Sequence, residues 1–343
     1  MKKLLYLTII FVSLTGIVFA GGGGEKKTAG PSGKLMIYTS LQRNVANEIQ
    51  AELKNVFPTM EIEFFCSPAA AIRARIDAEQ ASRKLGCDMI LSGDPSYSLE
   101  LRGKRILQNH KSREASSLAV AYDKDGYWYP VWLNNIILAY NPARYARRTI
   151  PESFYDFAHS DLARGESAME NPLGSESAFT SLAALRSLYG NEYFEALGNK
   201  GLKLDSGTDT LAKLESGEYR VVMIQEEEII KKRELELSKL APIYPDDGII
   251  VIPTVIMIIN DRWSANKNTK AAGTITDWFL SADAQNYFVG NWMHSARASF
   301  PKLPYDSIIT SQILERAIPI NWENNFRQRA EISSRIEQLL IRK

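Results

Sequence analysis

The sequence predicts an α/β protein of two lobes, each a mainly parallel β-sheet flanked by helices. Three observations lead to this fold class. Short apolar runs alternate with helix-like segments, which is the pattern of βαβ units. The 343 residues are enough for two cores, at about 150 residues per domain. The composition, 45% hydrophobic and 24% charged, is that of a globular protein and excludes collagen-like, disordered and multi-pass membrane chains.

The overall charge is close to zero. Lys and Arg number 41 against 40 Asp and Glu, a net charge of +1. Such a chain has no global positive field to hold nucleic acid, so no nucleic-acid partner is expected. A charged partner would have to be bound by a few charged or polar groups at one site.

The N-terminus predicts export. Lys2 and Lys3 precede an apolar run that ends at Ala20, so residues 1–20 are typical of a cleavable signal peptide. The alternative is a membrane anchor, because the run is about the minimum length for a span. Removal of residues 1–20 leaves a net charge of −1. No cysteine lies near the cleavage site for lipid attachment, so a periplasmic, soluble protein is expected.

Residues 21–33 are rich in glycine and predict a flexible tether. The two cysteines follow in the mature chain. Cys66 ends one predicted strand and Cys87 begins another, so in a parallel sheet the thiols would lie on the order of 15 Å apart. Two reduced, buried thiols are therefore expected. The cysteines and the three histidines fit no zinc spacing, and no cofactor is indicated.

The first part of the chain alternates strands and helices. We predict strands over 34–38, 61–66 and 88–91, and helices over about 42–56 and 69–84. Polar residues follow each strand, with the first pair also capping a helix: Thr39 and Ser40, Ser67, and Ser92, Gly93 and Asp94. In parallel sheets ligands bind beyond the carboxyl ends of the strands, so these residues are expected to share one site.

A second unit follows the same logic. Strands are predicted over 134–140, 221–224 and 248–260, the last of which suits a strand that crosses back to the first lobe. Helices are predicted after Ser175 and Ser206, over 274–287 and over about 322–341.

Several segments, in order and spacing, resemble periplasmic solute-binding proteins of ABC importers, in the branch that binds ferric ions, hexose phosphates or phosphonates. The segments are Ile37-Tyr-Thr-Ser40, Asp88-Met-Ile-Leu-Ser-Gly93, Leu138-Ala-Tyr-Asn-Pro142, Asn171-Pro-Leu-Gly-Ser-Glu-Ser-Ala178, Leu188-Tyr-Gly190, Ser216-Gly-Glu-Tyr219, Ala241-Pro-Ile-Tyr-Pro245 and Thr276-Asp-Trp-Phe-Leu-Ser-Ala-Asp-Ala-Gln285. The resemblance covers about residues 34–328.

The resemblance implies a type II periplasmic-binding-protein fold with two crossing hinge strands and a solute in the cleft between the lobes. We expect lobe 1 over 34–132, lobe 2 over 133–252, and a return to lobe 1 with the C-terminal helices over 253–343. It further implies delivery of the solute to an ABC permease in the inner membrane. A monomer is expected.

Three helix ends rich in Ser, Thr and Gly predict an anionic solute, such as a phosphorylated sugar or a phosphonate. Free N–H groups and the helix dipole at such ends favour anions. The ends are Thr39 and Ser40; Ser175, Glu176 and Ser177; and Ser206, Gly207 and Thr208. The alternative is that each is only a helix cap, as any α/β protein has.

Ferric iron is the alternative solute. By the resemblance, ferric-binding relatives place a histidine after the first strand, where this chain has Gln42, and a tyrosine pair where it has Glu227 and Glu228. Carboxylates are also hard oxygen donors, so Glu227 and Glu228 would be the metal ligands in that case. Phosphate-ester and phosphonate relatives tend to carry an acidic pair near Glu226 and Glu227, which agrees better.

Two interpretations of Glu226, Glu227 and Glu228 remain open. Lysines follow at i+4, which is typical of ion pairs on a solvated helix. A role in the cleft is the other interpretation, with Glu226 favoured because it lies nearest the strand end. Arg297 could reach an anion, but a surface arginine is the favoured interpretation.

Other functional classes are also open. An exported hydrolase is the enzyme alternative, but Gly174-Ser-Glu-Ser-Ala178 lacks the second glycine of a nucleophile elbow. We therefore expect no enzyme. A binding protein that feeds a membrane sensor would carry the same sequence features as one that feeds a transporter.

Overall fold

The computed structural model describes residues 30–298, 300 and 307–341. The predicted signal peptide and most of the predicted tether lie outside these residues. Within them, no helix combines the length and the apolar character that a membrane span requires.

The described residues contain eleven strands that join in one sheet. The strands are β1 (Gly33–Thr39), β2 (Met60–Cys66), β3 (Met89–Ser92), β4 (Leu107–Gln108), β5 (Tyr129–Tyr140), β6 (Ser167–Glu170), β7 (Lys203–Asp205), β8 (Val221–Gln225), β9 (Ala241–Ile243), β10 (Ile250–Ile259) and β11 (His294–Ser295).

Helices cover the sheet, and twelve α-helices lie within the described ranges. They are α1 (Arg43–Val56), α2 (Ala69–Ala81), α3 (Ser96–Gly103), α4 (Phe154–His159), α5 (Glu176–Tyr189), α6 (Glu192–Lys200), α7 (Gly207–Ser216), α8 (Glu226–Glu236), α9 (Thr269–Leu280), α10 (Ala282–Gly290), α11 (Thr310–Glu315) and α12 (Trp322–Ile336).

The main strand order is β2-β1-β3-β10-β5-β8-β6-β7, in which two parallel groups flank a central pair. β2, β1 and β3 are parallel to one another, as are β8, β6 and β7. The strands β5 and β10 between them are antiparallel to each other and to both groups. This is the predicted fold class, with two parallel sheets and two crossing strands.

The two crossing strands are long and wholly buried. All twelve residues of β5 and all ten of β10 are shielded from solvent. The first half of β5 pairs with β10 and the second half with β8, while β10 pairs with β3, so the two crossing strands together link the parallel groups. Continuous apolar, β-branched runs such as Ile250-Val-Ile suit a strand covered on both faces.

Two large apolar cores lie on either side of these strands. One surrounds β1, β3 and α9 and includes Ile37, Trp132 and Phe279. The other surrounds α4, α5 and α6 and includes Phe154 and Leu182. Buried residues of α12 also pack in the second core. The residue bounds of the lobes remain a prediction.

The structure differs from the sequence-based expectation in three local details. The helix α1 is preceded by Gln42, whose side chain makes no capping bond, so Thr39 and Ser40 do not cap it. The helix α2 ends at Ala81 rather than near residue 84, and Arg83 has a positive φ of 53°. The single helix predicted over 274–287 is two helices, because Ser281 is extended and its hydroxyl caps α10 by accepting from the Ala284 N–H.

The thiols are arranged as the parallel sheet predicts. Cys66 and Leu91 both lie opposite Thr39, at the carboxyl ends of their strands. Cys87 precedes the amino end of β3. Both thiols are free; Cys87 is buried, whereas Cys66 is only half-buried.

Gly248, just before β10, is expected to be required for stability. It has φ +125°, and a Cβ there would lie 2.8 Å from Cγ1 of Ile318 and 3.0 Å from the Arg316 carbonyl oxygen. We expect Gly248→Ala to lower the free energy of unfolding by about 1–3 kcal/mol. Urea unfolding measures this. The control is Gly103→Ala, where a Cβ meets no atom within 4 Å; equal losses in the two variants would contradict the argument.

Candidate functional site

A cleft of about 1040 Å³, solvent at its mouth included, opens where the carboxyl ends of the two parallel groups meet. Ser40 follows β1 and Gly93 follows β3 on one side of it. Glu170 ends β6 and Gln225 ends β8 on the other. The cleft therefore lies at the strand ends where the sequence predicts a site.

The cleft brings together about half of the residues proposed from the sequence. Those that line it are Ser40, Gln42, Gly93, Ser175, Glu176, Ser177, Gly207, Glu227 and Glu228. Those that do not line it are Thr39, Ser67, Ser92, Asp94, Ser206, Thr208 and Glu226. Contact between any of them and a solute stays a prediction.

Several of the second set are engaged elsewhere. The Thr39 hydroxyl accepts from the Leu41 N–H at 3.2 Å. Asp94 is buried and pairs with Arg73 at 2.8 Å and with Arg329. The Ser67 N–H donates to the Thr39 carbonyl at 3.2 Å. Ser206 caps α7 and is exposed, as is Thr208.

Glu226 belongs to a buried network behind the cleft. Its carboxylate accepts from Asn135 Nδ2 at 2.9 Å and from the Tyr244 hydroxyl, and lies 2.9 Å from His294 Nε2. Its side chain is fully buried. Burial and the adjacent Glu226 carboxylate raise the pKa of Tyr244, which keeps that phenol a proton donor. The sequence favoured Glu226 for the cleft; the structure directs it away because successive helix residues point about 100° apart.

Glu227 and Glu228 line the cleft instead, together with Glu170 at the end of β6. Burial raises the pKa of all three carboxyl groups, that of Glu227 most strongly, and the negative charges of Glu228, Glu226 and Glu170 raise Glu227 further. Gln42 Nε2 donates to Glu228 Oε1 at 3.3 Å. The three half-buried carboxyl groups are thus close enough for the charges of Glu170 and Glu228 to act on Glu227.

The charge around the cleft is one-sided. Among the residues that the structure describes, the lining holds four glutamates, Glu170, Glu176, Glu227 and Glu228, and no Lys, Arg or His. Arg297 is not part of it, because its guanidinium pairs with Glu114 at 2.6 Å and donates to the Leu280 carbonyl at 2.8 Å. Glu176 is paired with Arg73, which lies outside the lining, at 3.4 Å, so an anion would meet repulsion chiefly from Glu170, Glu227 and Glu228.

Apolar side chains form much of the remaining wall. They are Leu41, Val45, Trp132, Ile136, Met169, Ala178, Met223, Ile224 and Met293. A methionine-rich wall with one tryptophan suits the carbon skeleton of an organic solute, since thioethers adapt to irregular shapes.

Thr210 supplies an unused polar group at the same place. It lies on α7, lines the cleft and is 1% exposed. Its hydroxyl has no hydrogen-bond partner within the described part of the chain, although buried hydroxyls normally have one. A solute that reaches Thr210 would satisfy this hydroxyl.

The sequence reasoning missed Glu170, Thr210 and the apolar wall. Glu170 could have been found, because it ends the short run Ser167-Ala-Met-Glu170 directly before the segment that caps α5, although no strand is predicted there. Thr210 could not, because its position depends on how α7 lies against β6.

Among the residues that the structure describes, no three or more His, Cys, Asp or Glu side chains are grouped so as to hold a metal ion. Glu227 and Glu228, the ligands proposed for ferric iron, thus have no third partner of this kind in the described ranges.

Replacement of Glu226 tests the buried network. Glu226→Ala leaves Asn135, Tyr244 and His294 without their acceptor, and we expect a loss of about 3 kcal/mol or more in urea unfolding. The control Glu236→Ala removes an exposed ion pair with Lys232 on the same helix and should cost less than about 1 kcal/mol. Similar losses in the two variants would show that the hydrogen bonds of Glu226 do not add to the free energy of unfolding.

The chain is similar to known proteins in sequence and in fold. The family model described as "Bacterial extracellular solute-binding protein" matches residues 87–310. A search of the curated proteins finds no match.

Solved structures share the fold. The periplasmic binding protein AfuA from Actinobacillus pleuropneumoniae, with exogenous fructose-6-phosphate bound, has a TM-score of 0.75 at 17% identity, over 90% of this chain and 99% of that one. Iron-bound HitA from Pseudomonas aeruginosa has a TM-score of 0.74 at 14% identity, over 90% and 100%. The ferric binding protein from Campylobacter jejuni has a TM-score of 0.71 at 17% identity, over 89% and 99%.

Proposed function

The chain belongs to the family of bacterial extracellular solute-binding proteins, and on that premise we propose that it captures a small organic cation in its cleft for an ABC importer. It would act in the periplasm, as a monomer, and deliver the solute to an inner-membrane permease. Membership of this family agrees with the expectation that the chain is no enzyme.

The observation that carries the proposal is the charge of the cleft lining, in which Glu170, Glu227 and Glu228 have no basic side chain beside them among the described lining residues. The fourth glutamate, Glu176, pairs with Arg73. Glu170, Glu227 and Glu228 are half-buried, and burial raises the pKa of each carboxyl group. A protonated amine or quaternary nitrogen would restore the counter-charge that water no longer supplies. The adjacent Trp132 and methionine wall would hold its carbon skeleton, and Trp132 would favour a cation.

A phosphorylated sugar or phosphonate, the solute predicted from the sequence, is the second candidate. Two helix ends support it, since Ser175 to Ser177 at α5 and Gly207 at α7 line the cleft. The carboxylates would then accept from sugar hydroxyls. The fold shared with the fructose-6-phosphate-bound protein is also consistent with it.

Ferric iron is the less favoured alternative. Glu227 and Glu228 are hard donors, but the described residues offer no complete ligand group for a metal ion in this arrangement. The apolar wall also has no role in binding a bare ion.

A panel of solutes distinguishes these candidates. We expect putrescine, choline or a related amine to raise the melting temperature by several degrees, since a ligand at about 100 times its Kd stabilises by about 2.7 kcal/mol. Glucose 6-phosphate, 2-aminoethylphosphonate and Fe(III)-citrate complete the panel, and differential scanning fluorimetry is the measurement. A response to glucose 6-phosphate alone, or to Fe(III)-citrate alone, would overturn the cation proposal.

Glu227→Gln is expected to separate binding from stability. A carboxyl whose pKa is raised in the folded state loses stability as the pH rises through that pKa. Glu227→Gln should therefore stabilise the solute-free protein at neutral pH, by about 1 kcal/mol. It should also weaken binding of a responding amine at least tenfold.

In the wild type, amine affinity should fall as the pH is lowered, beginning well above the ordinary glutamate value of 4.5, because the cleft carboxyls take up protons there. Isothermal titration calorimetry at several pH values measures this. The matched control is Glu236→Gln, an exposed glutamate on the same helix. A pH-independent affinity, or a destabilised Glu227→Gln with unchanged binding, would contradict the assignment.

A further inference from the structure

The Glu176 carboxylate is bound by groups from the opposite side of the cleft. Its Oε2 atom accepts from the Ser92 hydroxyl at 2.6 Å, from the Gly93 N–H at 2.9 Å and from the Ser40 hydroxyl at 3.5 Å. We refer to these three donors as the β3 nest. Glu176 is 5% exposed, so the contact is largely shielded from water.

The contact spans the cleft. Glu176 is the first residue of α5, beside the parallel group of β6, β7 and β8, whereas Ser92 and Gly93 end and follow β3 in the other group. The backbone makes a second contact nearby, from the Ala69 N–H to the Gly174 carbonyl at 3.1 Å. The two sides of the cleft are therefore joined at this point by the chain itself.

Charge around the β3 nest is balanced within the chain. Glu176 Oε1 lies 3.4 Å from Arg73 Nη2, and Arg73 also pairs with Asp94 at 2.8 Å. Arg329 pairs with Asp94 as well. Glu100 Oε2 lies 3.6 Å from Arg73 Nη1 as well, so three carboxylates surround two guanidinium groups. Loss of Glu176 would leave three hydrogen-bond donors without their acceptor, beside the Arg73 guanidinium.

We propose that the Glu176 carboxylate is a built-in anion that fills the β3 nest, and that it determines specificity by denying this nest to an anionic group of the solute. Two hydroxyls, an N–H and a nearby guanidinium are the donor set that a free carboxylate or phosphate would use. This inference deepens the proposed function and rests on it for the nature of the solute, but the nest can be tested with simple anions alone.

Glu176→Ala empties the nest. We expect its melting temperature to be lower than that of the wild type and to be restored by formate or inorganic phosphate in a saturable manner. Sodium chloride at equal ionic strength provides the baseline. The matched control is Glu228→Ala, which removes a cleft carboxylate outside the nest and should show no saturable response to either anion. A Glu176→Ala response no larger than that of Glu228→Ala would overturn the proposal.

A second measurement follows binding directly rather than through stability. In titration calorimetry with inorganic phosphate, Glu176→Ala should bind phosphate saturably, and the wild type should bind it at least tenfold more weakly or not at all. Saturable phosphate binding by the wild type at the same affinity would show that Glu176 does not block the nest. Because neither experiment uses the transported solute, failure of the amine panel and failure of the nest are separate results.

Discussion

The antiparallel pairing of β5 with β10 is the interaction on which the rest of the structure depends. It runs from Ile136 opposite Ile250 to Tyr129 opposite Ile256, with a bulge at Thr254 and Val255. Because β5 continues into pairing with β8 and β10 into pairing with β3, this one register fixes how the two parallel groups face each other. A shift of one residue would move every side chain of the shifted strand to the opposite face, where it would meet the wrong one of two packed cores, so the register is strongly specified. The β5–β10 register therefore also determines the shape of the cleft between the two groups.

The buried and half-buried carboxylates near this strand pairing differ in how many hydrogen-bond donors of the chain surround them. Glu226 and Glu176 are buried and surrounded by donors from the chain, so each is satisfied without a ligand. Glu227 and Glu170 are half-buried at the cleft, and burial raises the pKa of both carboxyl groups. Glu226 and Glu176 stabilise the fold. Glu227 and Glu170 instead carry negative charge that a positively charged solute could neutralise. The distinction between structural and binding acids therefore depends on local donors rather than on residue type.

The order of strands and helices could be predicted from the sequence because it depends on local patterns: buried runs such as Val221 to Ile224, and caps such as Ser175 and Ser206. The strand ends that meet at the cleft followed from parallel topology. The direction of neighbouring side chains did not, since Glu226 and Glu227 differ only by their rotation about α8. The net charge of the cleft was also beyond reach, because it sums residues from α5, β6 and α8 that are distant in sequence.

The unequal burial of the two free thiols has a practical consequence. Cys87 is enclosed in the core, whereas Cys66 is half-buried at the carboxyl end of β2, one strand away from Ser40 at the cleft. Burial raises the pKa of the Cys66 thiol, so a thiol-reactive dye would attach to it slowly, and faster as the pH is raised. The dye would react with Cys66 rather than with the enclosed Cys87. The natural protein thus carries one selectively addressable position for a fluorophore, from which movement of the cleft can be followed in solution without engineering the chain.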